Sequence, residues 1–471
     1  MNTNTNMQLE QQAVNSWGDA RRWLALPILL TGAFLPVLDF NVVNLALPAI
    51  RQGLGATSSD IQFVISAYAT TYAIFLITGG RLGDWLGRKP MFMLGVVGFT
   101  LASVLCGMAW SPSVLILGRI LQGLTATIMA PQVLASIRTL FPPSEQEKAL
   151  GLYGATFGLA NILGQILGGI LVWARPFGFG WQAIFLINIP IGLFAFVGGL
   201  LFLADTKSDK AQKLDVGGVI LLSASLGLIV YPLVEGPVTG WSPEIFAMFT
   251  TSAVALAVFI IYENRLKTRG GSPLVDLSLF RQRRFSIGII MALVFYMLSA
   301  FYLTYSVYLQ SGLRLTPLEA GLFMLPFGFG YFASSFAAAP IMRRFGPRAL
   351  TLGFAVQVSG FGALALEVAD GSSAYMQLSL AVAGIGFGIV MPSVIKAVIG
   401  NIEQRHVGLA SGVVISTFQV GAALGVALVG GVFFNMLGAA SDLTSYSHAF
   451  AVALCCNVAL LALGAVCSLW L

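Results

Sequence analysis

The sequence predicts an all-α integral membrane protein of fourteen spans, built as two six-helix bundles with two extra helices between them. Three observations carry this: composition, the number of long apolar runs, and a likeness between the two ends of the chain. Soluble domains carry about 25% charged residues, whereas this chain of 471 residues is 57% hydrophobic and only 9% charged. Each apolar run is long enough for the ~20 residues a span requires.

Taken in order, breaks at charge or turn clusters give spans at 23–48, 60–80, 90–109, 112–137, 149–173, 181–203, 217–233, 245–263, 285–311, 317–341, 349–367, 374–399, 407–435 and 449–470. The first 22 residues are polar and end in Arg21-Arg22 with no cleavage-site pattern after them, so the first run is read as a span and not a signal peptide. Basic residues set orientation. With both termini in the cytoplasm, only Arg51, Arg175 and Arg314 of the 25 basic residues fall outside, and Arg119 is left within a span. The spread of basic residues over inner loops accounts for the net charge of +6 without a nucleic-acid partner.

The two ends match in order. "GLGATSSDIQ" (53–62) resembles "GLRLTPLEAG" (312–321), pairing Thr57 with Thr316 and Asp60 with Glu319. "GLTATIMAPQV" (123–133) resembles "GIGFGIVMPSV" (384–394), pairing Pro131 with Pro392, and Gly168-Gly169 pairs with Gly430-Gly431. The expected organisation is a cytoplasmic tail over 1–22, a six-helix bundle over 23–203, a linker with spans 7 and 8 over 204–284, and a second bundle over 285–471. Parallel halves of this kind place a transport site at their interface near the midplane. The counterpart of Asp39 is about Leu298, so the halves do not share the chemistry equally.

An enzyme reading has little support. There is no CxxC, HExxH or Walker loop, and His406 and His448 are the only histidines. Cys106, Cys455, Cys456 and Cys467 lie in apolar runs and read as packing residues. No metal and no cofactor are expected.

"GGRLGDWLGRKP" (79–90) falls between spans 2 and 3. It suggests an inner loop with a tight turn permitted by Gly80 and Gly87. Asp84 would cap a helix end or pair with Arg88, acting as a conformational latch. These residues match the inner-loop signature of the major facilitator superfamily; the second copy, "PIMRRFGPRAL" (340–350), lacks the acid. "LDFNVVNLALPAI" (38–50), "LGRILQGLTATIMAP" (117–131) and "SPLVDLSLFRQRRF" (272–285) further resemble the fourteen-span drug:proton antiporter branch. The resemblance covers nearly the whole chain and implies the major facilitator fold. It also implies an exporter of the cell membrane, in a bacterial inner membrane. The fifth-span antiporter motif of that branch, Gly-Pro-x-x-Gly-Gly, reads "LGQILGG" (163–169) here, with Gln165 in place of proline.

Asp39 lies about 16 residues into span 1, roughly 24 Å along at helical rise. An acid within a span is a functional candidate, and burial disfavours its charged form. Asp39 is read as the proton carrier; a structural hydrogen-bond partner is the alternative. Arg119 shares a face with Gln122 and Ala126, and would either bias the Asp39 proton or brace span 4. The glycines of span 5, among them Gly158, Gly168 and Gly169, read as a helix-packing switch. Asn161 and Gln165 on the same stripe, with Asn44, Tyr68, Tyr72, Gln122, Tyr305 and Gln419, are the candidate lining of a central cavity. The row Phe301, Tyr305 and Tyr308 suits flat lipophilic drugs or an interfacial belt.

The leading reading is a monomeric, proton-coupled exporter that exchanges protons for lipophilic neutral or monovalent cationic compounds by alternating access. It needs no cofactor beyond the proton gradient, and its partners are a small-molecule substrate, protons and the lipid bilayer. A proton-coupled permease for a specific metabolite is the alternative.

Overall fold

The computed structural model describes residues 19–203, 215–239, 241–346, 348–371, 375–399, 407–438 and 442–471. Residues 1–18 of the expected tail, 204–214 of the expected linker, and His406 lie outside them. Among the described residues, 14 helices are long and apolar enough to cross a membrane. They follow the order of the apolar runs, with longer ends. An even number of spans puts both chain ends on one face, called here the terminal face; the opposite one is the distal face.

Span 1 is a single helix, Asp19–Leu54, that carries Pro27, Pro36 and Pro48 in its interior. The Tyr68 hydroxyl donates to the Pro36 carbonyl at 3.4 Å. At the terminal face Arg22 binds Glu145 through two nitrogens, at 3.1 and 3.0 Å, and so joins span 1 to the start of span 5.

The repeat between chain ends reappears as matching local chemistry. Thr57 and Asp60 form a capping box at the start of span 2, Ser58–Leu86. Thr316 and Glu319 form the same box at the start of span 10, which runs Pro317–Phe323 and then Leu325–Phe345. In each, the threonine hydroxyl accepts an N–H that the helix cannot satisfy, and the acid returns to the threonine N–H. Pro131 and Pro392 both lie inside helices, spans 4 (Pro112–Leu140) and 12 (Met376–Ile399).

The glycine signature departs from expectation. It is not a loop: span 2 continues as helix to Leu86, and span 3 begins at Arg88. The turn is a single residue, Gly87, at φ 108°, a conformation open to glycine and strained for any side chain. Gly80 makes no turn. The close approaches belong to Gly79 and Gly83, where a Cβ would overlap the Thr127 carbonyl and the Gln132 amide of span 4. Gln132 in turn donates to the Gly79 carbonyl at 2.9 Å.

Spans 7 (Val216–Thr239) and 8 (Pro243–Thr268) form a hairpin. Its helices are clasped by Ser252 donating to the Ser225 carbonyl at 2.7 Å and Ser225 returning to the Ser252 carbonyl at 3.3 Å. Val230 and Val234 of span 7 pack on Ala69 of span 2 and on Ala422, Ala423 and Ala427 of span 13. Span 8 is the outermost element: 17% of its apolar window is buried, against 67% for span 1.

Gly79→Val is expected to cost about 1–3 kcal/mol as an overpacked contact, seen as a lower unfolding temperature and a reduced monodisperse fraction in detergent. Gly80→Ala, whose Cβ meets Pro131 at an ordinary 3.7 Å, is expected to match wild type in both.

Candidate functional site

Asp39 and Arg119 meet. Both are fully buried, at 1% and 0% exposure, and Arg119 Nη1 donates to Asp39 Oδ2. The opposite carboxylate oxygen, Oδ1, accepts from Gln122 Nε2 at 3.0 Å and from Asn188 Nδ2 at 3.0 Å. Three donors thus converge on one carboxylate. Behind them Ser103 Oγ accepts from Gln122 at 2.8 Å and from Asn188 at 3.1 Å, and donates to the Phe99 carbonyl at 2.8 Å.

Arg119 is held on three further sides. Its Nε donates to the Val64 carbonyl at 3.0 Å, its Nη1 also donates to Gln122 Oε1 at 2.8 Å, and its guanidinium lies 4.2 Å from the Tyr68 ring centre. Tyr68 stacks on Tyr72, 6.0 Å away and 10° from parallel. Spans 1, 2, 3, 4 and 6 therefore each contribute to one buried charge network.

The sequence left open whether Arg119 reaches Asp39, and the structure brings them together. Gln122, expected on a cavity wall, belongs to this charge network instead. Asn188 and Ser103 were missed by the sequence reading. Asn188 carried a signal, as an isolated amide in the apolar run "LINIPIG"; Ser103 did not stand out from other membrane serines.

Asn41, two residues beyond Asp39 and on the other side of the same helix, gathers a second polar group. Its Oδ1 accepts from Gln165 Nε2 at 3.2 Å and Asn161 Nδ2 at 3.4 Å, while its own Nδ2 donates to the Val37 carbonyl at 2.8 Å. Gln165 thus spends its amide on span 1 of its own bundle. The span 5 glycines divide by face instead of forming one stripe. A Cβ at Gly168 would meet Val42 of span 1 at 3.3 Å, so Gly168 packs within the bundle. Gly169 and Gly158 face the other half, against Leu318 at 2.9 Å and the Phe332 ring at 3.1 Å.

The remaining candidates scatter. Asn44 is buried and donates to the Phe40 carbonyl of its own helix at 2.7 Å. Tyr305 packs on Phe301, 5.0 Å away, and on Phe450 of span 14, 6.1 Å away. Tyr308 stacks on Phe450 at 4.7 Å. This row is packing inside the second bundle, neither a drug face nor a belt. Gln419 is half-buried on span 13.

Asp84 pairs with Arg88 at 3.5 Å across the Gly87 turn. Arg88 also donates to the Ala135 carbonyl at 3.0 Å and to the Thr139 hydroxyl of span 4. The signature therefore ties spans 2, 3 and 4 of one bundle together. Beyond those spans, Lys89 donates to the Leu203 carbonyl at the end of span 6 at 2.7 Å, and the Arg81 guanidinium donates to the Ser272 carbonyl at 2.9 Å and to the Pro273 carbonyl.

The seam between halves is aromatic. Tyr72 lies within electrostatic reach of Tyr153 of span 5 and Tyr296 of span 9, whose helix runs Arg283–Tyr296 and resumes as Ser299–Val307. Tyr296 stacks on Phe418 at 4.4 Å, and Tyr153 meets Phe157 edge-on at 5.0 Å. Gly154, next to Tyr153, has open space where a side chain would stand. Among the described residues no group of three or more His, Cys, Asp or Glu is placed to hold a metal.

The chain matches the family model described as Major Facilitator Superfamily over residues 29–425 and 287–471. It is 39% identical to the "Probable actinorhodin transporter" of Streptomyces coelicolor, over 89% of this chain and 74% of that one. It is 32% identical to the "Tetracenomycin C resistance and export protein" of Streptomyces glaucescens, over 89% and 77%. The "Multidrug resistance protein Stp" of Mycobacterium tuberculosis is 30% identical over 87% and 75%. Among solved structures, a bacterial homologue of the human lysosomal transporter Spinster, inward-facing and unoccupied, superposes with a TM-score of 0.68. It is 14% identical and covers 96% of this chain and 97% of its own. That likeness speaks to the fold alone.

Asp39→Asn is expected to leave Arg119 buried without a counter-charge, at a cost of about 3–5 kcal/mol read as a fall in unfolding temperature. Adding Arg119→Gln should restore most of that loss and none of the transport. If Asp39→Asn keeps wild-type stability, the pair does not hold the bundle. Gln165→Leu removes a donor from Asn41 and should cost about 1 kcal/mol, a loss that Asn41→Leu in the same chain should largely absorb.

Proposed function

The chain belongs to the major facilitator superfamily, and we propose that it works as a proton-coupled exporter of lipophilic compounds. It is a multi-span transporter of the bacterial inner membrane, and its relatives are named for antibiotic resistance and export. The single observation that carries the coupling is the buried Asp39–Arg119 pair. Protonating Asp39 removes the charge that Arg119 requires, and the five helices tied to that pair then lose their common anchor. A proton is thereby converted into a choice between two packings of the first bundle.

The access state fits this cycle. With both termini in the cytoplasm, as the basic residues direct, the distal face is the outer one. There Gln310 Nε2 and Ser306 Oγ of the second half both donate to the Leu45 carbonyl of span 1, at 2.6 and 3.2 Å. A Cβ at Gly430 would meet Gln62 at 3.3 Å, so spans 2 and 13 are close-packed there too. We therefore read an outer side held shut with Asp39 paired and unprotonated. Substrate would enter from the inner side and lie against Tyr72, Tyr153, Tyr296 and Phe418, whose rings suit flat lipophilic or cationic molecules. The protein would act as a monomer in the bilayer, with no cofactor beyond the proton gradient.

The test is uptake by inverted vesicles under an imposed pH gradient, after a susceptibility panel in cells lacking other pumps has named substrates. Uptake that is indifferent to the gradient would remove proton coupling.

One carboxylate implies about one proton per cycle. Exchange for a monovalent cation is then electroneutral and draws only on the pH gradient, about 1.4 kcal/mol per unit. A neutral substrate also gains about 2.3 kcal/mol per 100 mV, whereas a dication moves against the voltage. Neutral and monovalent compounds are expected to accumulate in the vesicles; bis-cations are expected not to.

A further inference from the structure

A second group of acids lies at the terminal face, away from Asp39. Asp215 stands just before span 7, and Glu263 lies in the last part of span 8. Glu263 is buried, at 1% exposure. The two carboxyls lie side by side, with Glu263 Oε1 and Asp215 Oδ2 both bordering the space above Gly218. Two carboxylates cannot share a hydrogen bond, because neither has a proton to give.

The donors around the pair are divided unequally. Asp215 accepts from Gly218 N at 2.8 Å, Tyr262 OH at 3.0 Å and Leu274 N at 3.0 Å. Glu263 Oε2 accepts from Val275 N at 3.0 Å, while its buried Oε1 receives no hydrogen bond from any described residue. Among the described residues, Arg81 of span 2 is a cation within electrostatic reach of both acids. Asp276 and Lys267, next along, pair with each other at 2.6 Å. Burial works to raise the Asp215 carboxyl, but the neighbouring Glu263 carboxyl and hydrogen bonds from Gly218, Leu274 and Tyr262 outweigh it and hold Asp215 below the usual carboxylate range.

We propose that Asp215 and Glu263 form a second proton-binding site, which grips the strap 272–275 only while one proton is shared between them. The proton sits on Glu263 Oε1, the oxygen left without a donor, and is given to Asp215 Oδ2. Loss of that proton puts two buried negative charges side by side. They can relieve their repulsion only by separating. The strap resists this, because its adjacent amides Leu274 and Val275 are bound one to each acid. The strap must release one of them.

The strap is also where Arg81 binds the Ser272 and Pro273 carbonyls, and it leads into span 9. One proton at the terminal face thus governs how the inserted hairpin, the glycine signature and the second bundle are joined. Spans 7 and 8 acquire a role beyond filling lipid-facing surface.

The test uses the full chain in liposomes, without substrate or gradient, so its result does not depend on the exporter reading. A nitroxide is placed at Ser272→Cys after the native cysteines are replaced. The ratio of mobile to immobile label is expected to rise about tenfold per pH unit through the transition, the slope of a one-proton equilibrium. Glu263→Gln, which keeps a donor toward Asp215, should hold the label immobile at every pH. Difference infrared spectra across the transition should lose a protonated-carboxyl carbonyl band that persists in Asp39→Asn and is missing in Glu263→Gln. Should Glu263→Gln fail to fold, Tyr262→Phe removes one donor from Asp215 and should move the midpoint to higher pH. A label ratio independent of pH in the otherwise wild-type chain overturns the proposal. So does a carbonyl band that survives Glu263→Gln, or an unmoved midpoint in Tyr262→Phe. A midpoint that shifts when sodium replaces choline would make the ligand a metal cation and equally overturn it.

Discussion

In a hydrocarbon interior an ionised side chain is tolerated only with its opposite charge and a full set of hydrogen bonds. Asp39 and Arg119 supply each other's opposite charge and draw further partners from spans 1, 2, 3, 4 and 6, while Arg119 Nη2 takes no hydrogen-bond partner among the described residues. The first bundle is organised around this pair. Each helix must present one particular group at one depth: the Val64 carbonyl, Ser103, Gln122, Asn188. A buried pair of this kind adds little net stability over apolar packing. On the proton-coupled reading proposed above, what it gains is sensitivity, since a single proton would change the charge that fixes five helices.

Close backbone approach provides the rest of the machinery, and it is distributed by purpose. Gly79 and Gly83 press span 2 onto span 4, and Gly168 presses span 5 onto span 1. These contacts are internal to a bundle and make it rigid. Gly158 and Gly169 lie on the other face of span 5, against span 10 of the other half. Membrane helices lack a hydrophobic drive toward one another, so small residues and interhelical hydrogen bonds decide which faces meet. The second bundle solves the problem differently. Phe301, Phe327, Phe361 and Phe450 form a ring-on-ring core with no charge at the position of Leu298, the counterpart of Asp39.

The sequence was most legible where a rule acts over a short window. Span number followed from apolar run length. The repeat was readable from Thr57–Asp60 and Thr316–Glu319 because a capping box is complete within four residues. Asp39 and Arg119 were visible individually because a charge in an apolar run is conspicuous. Their union was not, since 80 residues separate them. The signature at 79–90 was located correctly and its shape misjudged: Gly80 suggested a turn, yet packing against span 4 keeps that stretch helical until Gly87. Gln165 stood out as the residue in place of the family's proline, but nothing local pointed to Asn41.

What the sequence by itself determined is therefore the class of molecule, its span order and the few charges that cannot be there by accident, because hydrophobicity and ionisation are properties of single residues in a known solvent. The tertiary structure alone decided who meets whom. It placed Gln122 on Asp39, turned Tyr305 into the second bundle's core, split the span 5 glycines between two neighbours, and brought Glu263 against Asp215. Those outcomes depend on helix rotation and depth, and these are fixed only when all the helices pack at once.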